Sequence, residues 1–168
     1  FWPFFWVAFL TGFNDNVFKQ GLITYVTVAG LKILGMDIGL LGAASTVIII
    51  FPFVVFSATA GQVSDRFSQS TVVWWVQLAE IAIMSIGVYG LLTRNMPLLL
   101  GVLFLTGLQS TFFGPAKYSF LPEVLEEEEL VGGNALIELG TFLSILLGTI
   151  VGGGIVAIYG VKGAPEAI

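Results

Sequence analysis

The stretch Val47-Ile48-Ile49-Ile50-Phe51-Pro52-Phe53-Val54-Val55 decides the fold. It holds no polar side chain, and Leu98-Leu99-Leu100-Gly101-Val102-Leu103-Phe104-Leu105 repeats the pattern farther along. A half-buried strand alternates apolar with polar residues, and the strands of a membrane barrel do so over about ten residues. Neither run alternates. Each sits inside an apolar segment of the length a membrane helix needs, about 20 residues at about 1.5 Å rise each. The wider composition agrees. Hydrophobic residues make up 57% of the 168-residue chain and charged residues only 10%. A soluble domain carries about 25% charged residues, the surface that keeps it in water. The apolar residues here must face lipid or one another, so the fold class is all-α, a polytopic membrane protein.

Working outward from these two runs gives five spans, about 2–29, 38–60, 71–92, 97–120 and 127–159. The connections at 30–37, 61–70, 93–95 and 121–126 are short, which makes neighbouring helices antiparallel. Many transporter folds are assembled from three-helix repeats. Residues 1–168 therefore read as an incomplete amino-terminal transmembrane half, with a sixth helix and a carboxy-terminal half expected beyond them. The start at Phe1, inside an apolar run and without methionine, also reads as a fragment. The opening run is too long, and too polar in its middle, for a signal peptide.

Absences narrow the chemistry. With no cysteine, disulfides and thiolate metal sites are excluded; with no histidine, the commonest general base and metal ligand are gone. No enzyme and no cofactor are expected. The net charge is −5, and four of the eleven acids stand together at Glu126, Glu127, Glu128 and Glu129, the pattern of a solvated helix start. Nothing resembles a basic surface for nucleic acid.

Charges inside spans are the informative positions, because each is costly unless paired or hydrated. The first span offers Asp15 and Lys19 on one face, with Thr11 one turn earlier. They read either as an internal ion pair or as the lining of a polar cavity. Asn14, Asp15 and Asn16 point about 100° apart, so Asp15 is assigned to the cavity and Asn14 or Asn16 to bridging helices. The fourth span places Gln109, Phe113 and Lys117 on one face around Gly114-Pro115. Pro115 removes a helix hydrogen bond and predicts a kink. Lys117 reads as a snorkelling residue or as an ammonium that holds a phosphate. Asn134, Glu138 and Thr141 share a face of the fifth span, for interhelical bonding or a cavity. Glu80, one turn after Gln77, reads as structural. Gly148 and Gly152 form a Gly-x-x-x-Gly pair that permits close helix approach. Between the second and third spans, Gly61 is expected to permit a tight turn. Asp65 then stands ahead of a helix that Ser68, Ser70 or Thr71 caps.

That last segment, Gly61-Gln62-Val63-Ser64-Asp65-Arg66, resembles the Gly-x-x-x-Asp-Arg loop of the major facilitator superfamily, and departs from it at Gln69 and Ser70, where further basic residues are expected. A narrower resemblance covers almost the whole chain. Phe13-Asn14-Asp15-Asn16-Val17-Phe18-Lys19, Phe113-Gly114-Pro115-Ala116-Lys117-Tyr118 and Glu129-Leu130-Val131-Gly132-Gly133-Asn134-Ala135 are similar to the bacterial lysophospholipid transporter family. The resemblance implies a twelve-helix fold in two halves with both termini in the cytoplasm. It implies movement of lysophosphatidylethanolamine-like lipids across the bacterial inner membrane by alternating access, with sodium as the candidate coupling ion. An acyltransferase, separate or fused, would be a partner.

On this resemblance Asp15, Lys19, Gln109, Phe112, Phe113, Lys117 and Glu138 are the substrate-binding candidates, with the two phenylalanines on the acyl chain. Gly61, Asp65 and Arg66 form a conformational motif, and Asp15 is the candidate sodium ligand. The first and fourth helices would line the cavity and the third would be peripheral, which sets Glu80 outside it. Orientation from charge alone runs the other way: Lys32, Arg94 and Lys162 against Arg66 place the first group in the cytoplasm, whereas the resemblance places Arg66 there. Two alternatives stand beside this reading. One is a facilitator that exports amphipathic drugs, its charges serving proton coupling. The other is the membrane part of a transporter–acyltransferase fusion, although a His-x4-Asp motif cannot lie in a chain without histidine.

Overall fold

A computed structural model describes residues 1–28 and 38–159. They form five helices, α1 Trp2–Val28, α2 Ile38–Arg66, α3 Gln69–Leu92, α4 Met96–Val124 and α5 Leu130–Tyr159, with no strand among the described residues. The two apolar runs lie inside α2 and α4. Four helices, α2 to α5, are long and apolar enough to cross a membrane. With 27 residues, α1 spans roughly 40 Å, as long as the others, but its polar middle lowers its hydropathy. Neighbouring helices screen that middle from lipid, as described below. Large apolar side chains such as Val54, Leu92 and Val131 remain exposed around the bundle, as lipid-facing residues do.

The element boundaries correct two expectations. Gly61–Arg66 is not a loop: α2 continues past Ala60 to Arg66, and the turn is only Phe67-Ser68. Gly61 is helical, with open space where a side chain would project, so it makes no tight turn. Ser68 occupies the N-cap position of α3, yet its hydroxyl bonds Thr71 Oγ1 at 2.7 Å rather than the helix backbone. Likewise α4 runs to Val124 through both Pro115 and Pro122, and α5 begins at Leu130 rather than in the acidic run. The third to fourth connection is as expected. It turns through Arg94 at φ 53°, and the Asn95 side chain caps α4 by accepting from the Leu98 N–H at 3.1 Å. The 30–37 connection, Lys32 and Lys162 lie outside the described residues.

Packing follows from small residues at crossings. Helix α1 runs parallel to α5 and makes its main contact there. Phe1 lies beside Gly133, Phe5 beside Gly140, and the backbones of Phe13 and Val17 against Gly148 and Gly152. A Cβ at Gly148 would stand 2.6 Å from the Phe13 carbonyl oxygen. The expected Gly-x-x-x-Gly pair is thus the seam on which α1 rides. Helix α4 packs on α2 through the same device, Gly107 lying against the Ile49 backbone, and on its other side holds α3. Contact between the α1–α5 pair and the α2–α3–α4 group is thinner.

Two apolar clusters close the ends of that junction. One gathers Phe4, Ala8, Val72, Val76, Phe113 and Leu121; the other gathers Leu22, Val26, Leu99 and Leu103. On α1, residues 11–15 fall between them, as do residues 77–80 of α3 and 106–110 of α4. The fold therefore sets a polar layer at mid-depth between two apolar ends.

Candidate functional site

Asp15 stands in this layer. Its Oδ2 accepts the Ser110 hydroxyl of α4 at 2.7 Å, while its Oδ1 is buried without a hydrogen-bond partner among the described residues. Thr106, one turn from Ser110 on the same face of α4, also has a buried, unpartnered hydroxyl. A buried carboxylate oxygen and a hydroxyl left open on facing helices are the valences a cation, an amine or a water would fill. Among the described residues there is no cluster of three or more metal-ligating side chains. Lys19, four residues beyond Asp15, is half-buried and forms no ion pair among the described residues, so Asp15 and Lys19 do not neutralise each other.

The layer continues from Asp15 to Glu80. The Ser110 hydroxyl also stands 3.1 Å from Gln109 Oε1, and Gln109 Nε2 donates to Glu80 Oε2 at 3.4 Å. From α1, Thr11 Oγ1 donates to Glu80 Oε2 and Asn14 Nδ2 to Glu80 Oε1, both at 2.9 Å. Gln77 Nε2 donates to Thr11 Oγ1, again at 2.9 Å. Glu80 is 8% exposed and ties α1 and α4 to α3. Asn14 bridges helices as expected, whereas Asn16 bonds back to the Gly12 carbonyl of its own helix.

Lys117 belongs to a second cluster, seven residues or roughly 10 Å farther along α4. Its Nζ donates to Glu138 Oε1 at 3.1 Å and to Thr141 Oγ1 at 2.9 Å, both on α5. The Tyr118 hydroxyl donates to the same Glu138 oxygen at 2.6 Å, and the ammonium lies 5.0 Å from the Tyr118 ring centroid. The Lys117 side chain is 10% exposed and that of Glu138 40%. Lys117 and Asp15 are not paired with each other. Of the remaining candidates, Phe112 and Gln109 line a cavity of ≈ 550 Å³ between α3 and α4, walled by Val72, Trp75, Ala79 and Leu108. Phe113 turns the other way into the apolar core against Phe4.

Asp65 and Arg66 are exposed at the end of α2 and form no ion pair among the described residues. The turn beside them is closed by Gln69, which stands where a basic residue is expected. Its Nε2 donates to the Ser64 carbonyl at 2.8 Å, and its Oε1 accepts from the Ser64 hydroxyl at 2.9 Å. Sequence reasoning missed Ser110 and Thr106, and named Tyr118 only as the end of a family segment. Their only signal was position: each lies beside a polar residue already singled out, or one turn from one.

Five long helices share a polar layer carried by α1, α3 and α4, and residues 2–165 match the Major Facilitator Superfamily. The chain belongs to that superfamily. It is 29% identical over 148 residues to the lysophospholipid transporter LplT of Serratia proteamaculans, covering 86% of this chain and 33% of that protein. It is 29% identical over 161 residues to the lysophospholipid transporter LplT of Pectobacterium carotovorum, covering 93% and 35%. A third such transporter, from Yersinia pestis, is 28% identical over 148 residues, 86% of this chain and 33% of its own length. The chain thus spans about a third of the curated relatives it matches. No solved structure matches.

Proposed function

We propose that the complete protein is a lysophospholipid transporter of the bacterial inner membrane, working by alternating access, to which this chain contributes part of the headgroup site. The observation that carries this reading is the pair of opposite charges along one junction. Asp15 offers an open carboxylate oxygen, and Lys117, roughly 10 Å away along α4, an ammonium. A zwitterionic headgroup presents an amine and a phosphate, one for each. Lys117 uses two of its three N–H groups on Glu138 and Thr141, which leaves one for a phosphate oxygen. Phe112, on the wall of the apolar cavity, is assigned to the acyl chain. Sodium as the coupling ion would share the Asp15 position, with the Ser110 and Thr106 hydroxyls as neutral oxygen donors. The names of the matched relatives support the substrate class.

The test is lysolipid uptake by full-length transporter in vesicles. Lys117→Ala is expected to weaken binding of phosphate-bearing lysolipids by roughly tenfold or more. Asp15→Ala removes the preference for an amine headgroup, or the dependence on sodium. The charge-swapped double variant of Asp15 and Lys117 is expected to stay inactive. If it regained transport that each single variant loses, the two residues would be a structural pair and the assignment rejected.

A further inference from the structure

Resting on the reading of Lys117 as the phosphate pole, we propose that Glu138 is the resting occupant of the phosphate subsite, and that the headgroup's phosphodiester enters by exchange for this carboxylate, with Tyr118 as its second donor. The geometry around one oxygen leads there. The Lys117 ammonium at 3.1 Å and the Tyr118 hydroxyl at 2.6 Å both donate to Glu138 Oε1. The donors are neighbouring residues of α4, and they converge on a single atom of α5. An ammonium and a hydroxyl aimed at one point make a site for an anionic oxygen. The carboxylate fills it from within the chain. Its other oxygen, Oε2, accepts no hydrogen bond among the described residues, so Glu138 is held at one point only.

The two donors are placed to remain when the carboxylate leaves. Lys117 also donates to Thr141 Oγ1 at 2.9 Å, and the Thr141 hydroxyl gives its own hydrogen to the Ile137 carbonyl at 2.8 Å. That partner is neutral and tied to its own helix. The Tyr118 ring lies against the ammonium, 5.0 Å from Nζ to its centroid. Lys117 is nearly buried and Glu138 far more exposed, so the carboxylate is the member of the pair with a way to water. Donor count and charge both favour exchange over addition. With Glu138 in place, a phosphate meets one spare N–H. With Glu138 withdrawn, it meets two N–H groups and the phenol O–H, enough for both free oxygens of a phosphodiester. A phosphate added beside the carboxylate sets two anions against one ammonium at membrane depth, where uncompensated charge is costly. A singly charged phosphodiester exchanged for the carboxylate leaves the balance as it was. The subsite therefore selects a group with one negative charge, and a lipid without phosphate has nothing with which to displace Glu138.

Equilibrium binding to the full-length protein in maltoside micelles tests this. The probes are lysophosphatidylethanolamine, its chain-free headgroup glycerophosphoethanolamine, and monoacylglycerol, which has the chain without phosphate. Glu138→Ala removes the resident carboxylate and is expected to tighten binding of both phosphate probes several-fold. Tyr118→Phe alone is expected to cost less than about threefold, because the hydroxyl is lost from the resting and the occupied subsite alike. In the Glu138→Ala background the same change should cost about tenfold, the weight of a hydrogen bond to a charged group. Monoacylglycerol binding stays level across the series. A hydroxyl that serves only Glu138 has no effect once Glu138 is gone, and that result would overturn Tyr118 as a phosphate donor. Weaker binding of the phosphate probes by Glu138→Ala would overturn the exchange, since Glu138 would then be holding Lys117 in place. Competition by inorganic phosphate as strong as that by glycerophosphoethanolamine would make this a general anion site and overturn its assignment to the headgroup. Lys117→Ala separates the proposal from the reading beneath it. If it binds the phosphate probes as tightly as wild type, the phosphate pole itself falls; if it loses them while Glu138→Ala also weakens binding, only the exchange falls. Glu138 and Tyr118 are both partly exposed, so their variants leave the core intact. Should Lys117→Ala fail to fold, Lys117→Gln takes its place with the same two outcomes.

Discussion

At the scale of single residues, the chemistry sits on adjacent pairs that face different neighbours. Asn14 meets Glu80 while Asp15 meets Ser110; Gln109 meets Glu80 while Ser110 meets Asp15. Successive helical residues diverge by about 100°, so two neighbours cannot serve one surface. The same rule separates Phe112, on the cavity wall, from Phe113, in the core. Helical spacing made some polar faces legible in the sequence, Glu138 with Thr141 meeting one partner in Lys117, but Gln109 and Lys117, grouped on one face, meet α3 and α5 respectively. It could not show which faces meet, because that depends on the register between helices. Glu80 was set aside because the resemblance made the third helix peripheral, although Gln77 one turn earlier marked its face as polar. The partnership of Lys117 with Glu138 was hidden by the helix register, and it yields a prediction. If Lys117 exchanges Glu138 for phosphate, Glu138→Gln frees the ammonium and should strengthen binding of phosphate-bearing lysolipids several-fold, on the order of 1 kcal/mol. Equilibrium binding to the full-length protein measures this. Weaker binding would mean instead that Glu138 holds Lys117 in position.

At the scale of helices, close approach depends on a few glycines that differ in what they touch. The Gly-x-x-x-Gly pair on α5 was readable because its spacing repeats on one face, and α1 does lie against it. Gly107 gave no such pattern, since no glycine lies three or four residues from it in α4, yet it meets the Ile49 backbone directly. A backbone cannot rotate away as a side-chain tip can. Gly107→Ala should therefore push α2 from α4 and cost roughly 1–3 kcal/mol, the usual range for overpacking. Gly101, on the same helix with nothing within 4 Å of its added Cβ, supplies the control, and Gly101→Ala should leave stability unchanged or slightly higher. Thermal unfolding of the two variants in detergent checks the difference. Equal melting temperatures would show that the α2–α4 crossing yields without cost. Element ends were the least legible feature. Gly61 read as a break, but α2 runs through it to Arg66, whereas Pro115, read as a kink within the fourth span, does lie inside α4.

At the scale of the whole molecule, α1 is the test of the architecture. Its hydropathy alone does not qualify it as a span, yet its polar middle is covered by α3, α4 and α5 rather than by lipid. It also tracks α5 in parallel from Phe1 beside Gly133 to Val17 against Gly152, so whatever membrane thickness α5 crosses, α1 crosses too. The start of α1, the end of α2 and the acidic turn before α5 must then share one membrane side, with the α3–α4 turn on the other. Residues 1–168 hold no cysteine, so with any cysteine elsewhere in the full-length protein replaced, introduced thiols report on each position. Trp2, Gln62, Thr93 and Glu127 are all exposed and suit the purpose. Trp2→Cys, Gln62→Cys and Glu127→Cys in the full-length protein should react with an impermeant maleimide from one compartment, and Thr93→Cys only from the other. The superfamily resemblance makes the first compartment the cytoplasm. Labelling of Trp2→Cys from the Thr93 side would mean that α1 does not cross beside α5. The polar layer between α1 and α4, and every role assigned to Asp15, would then lose its basis.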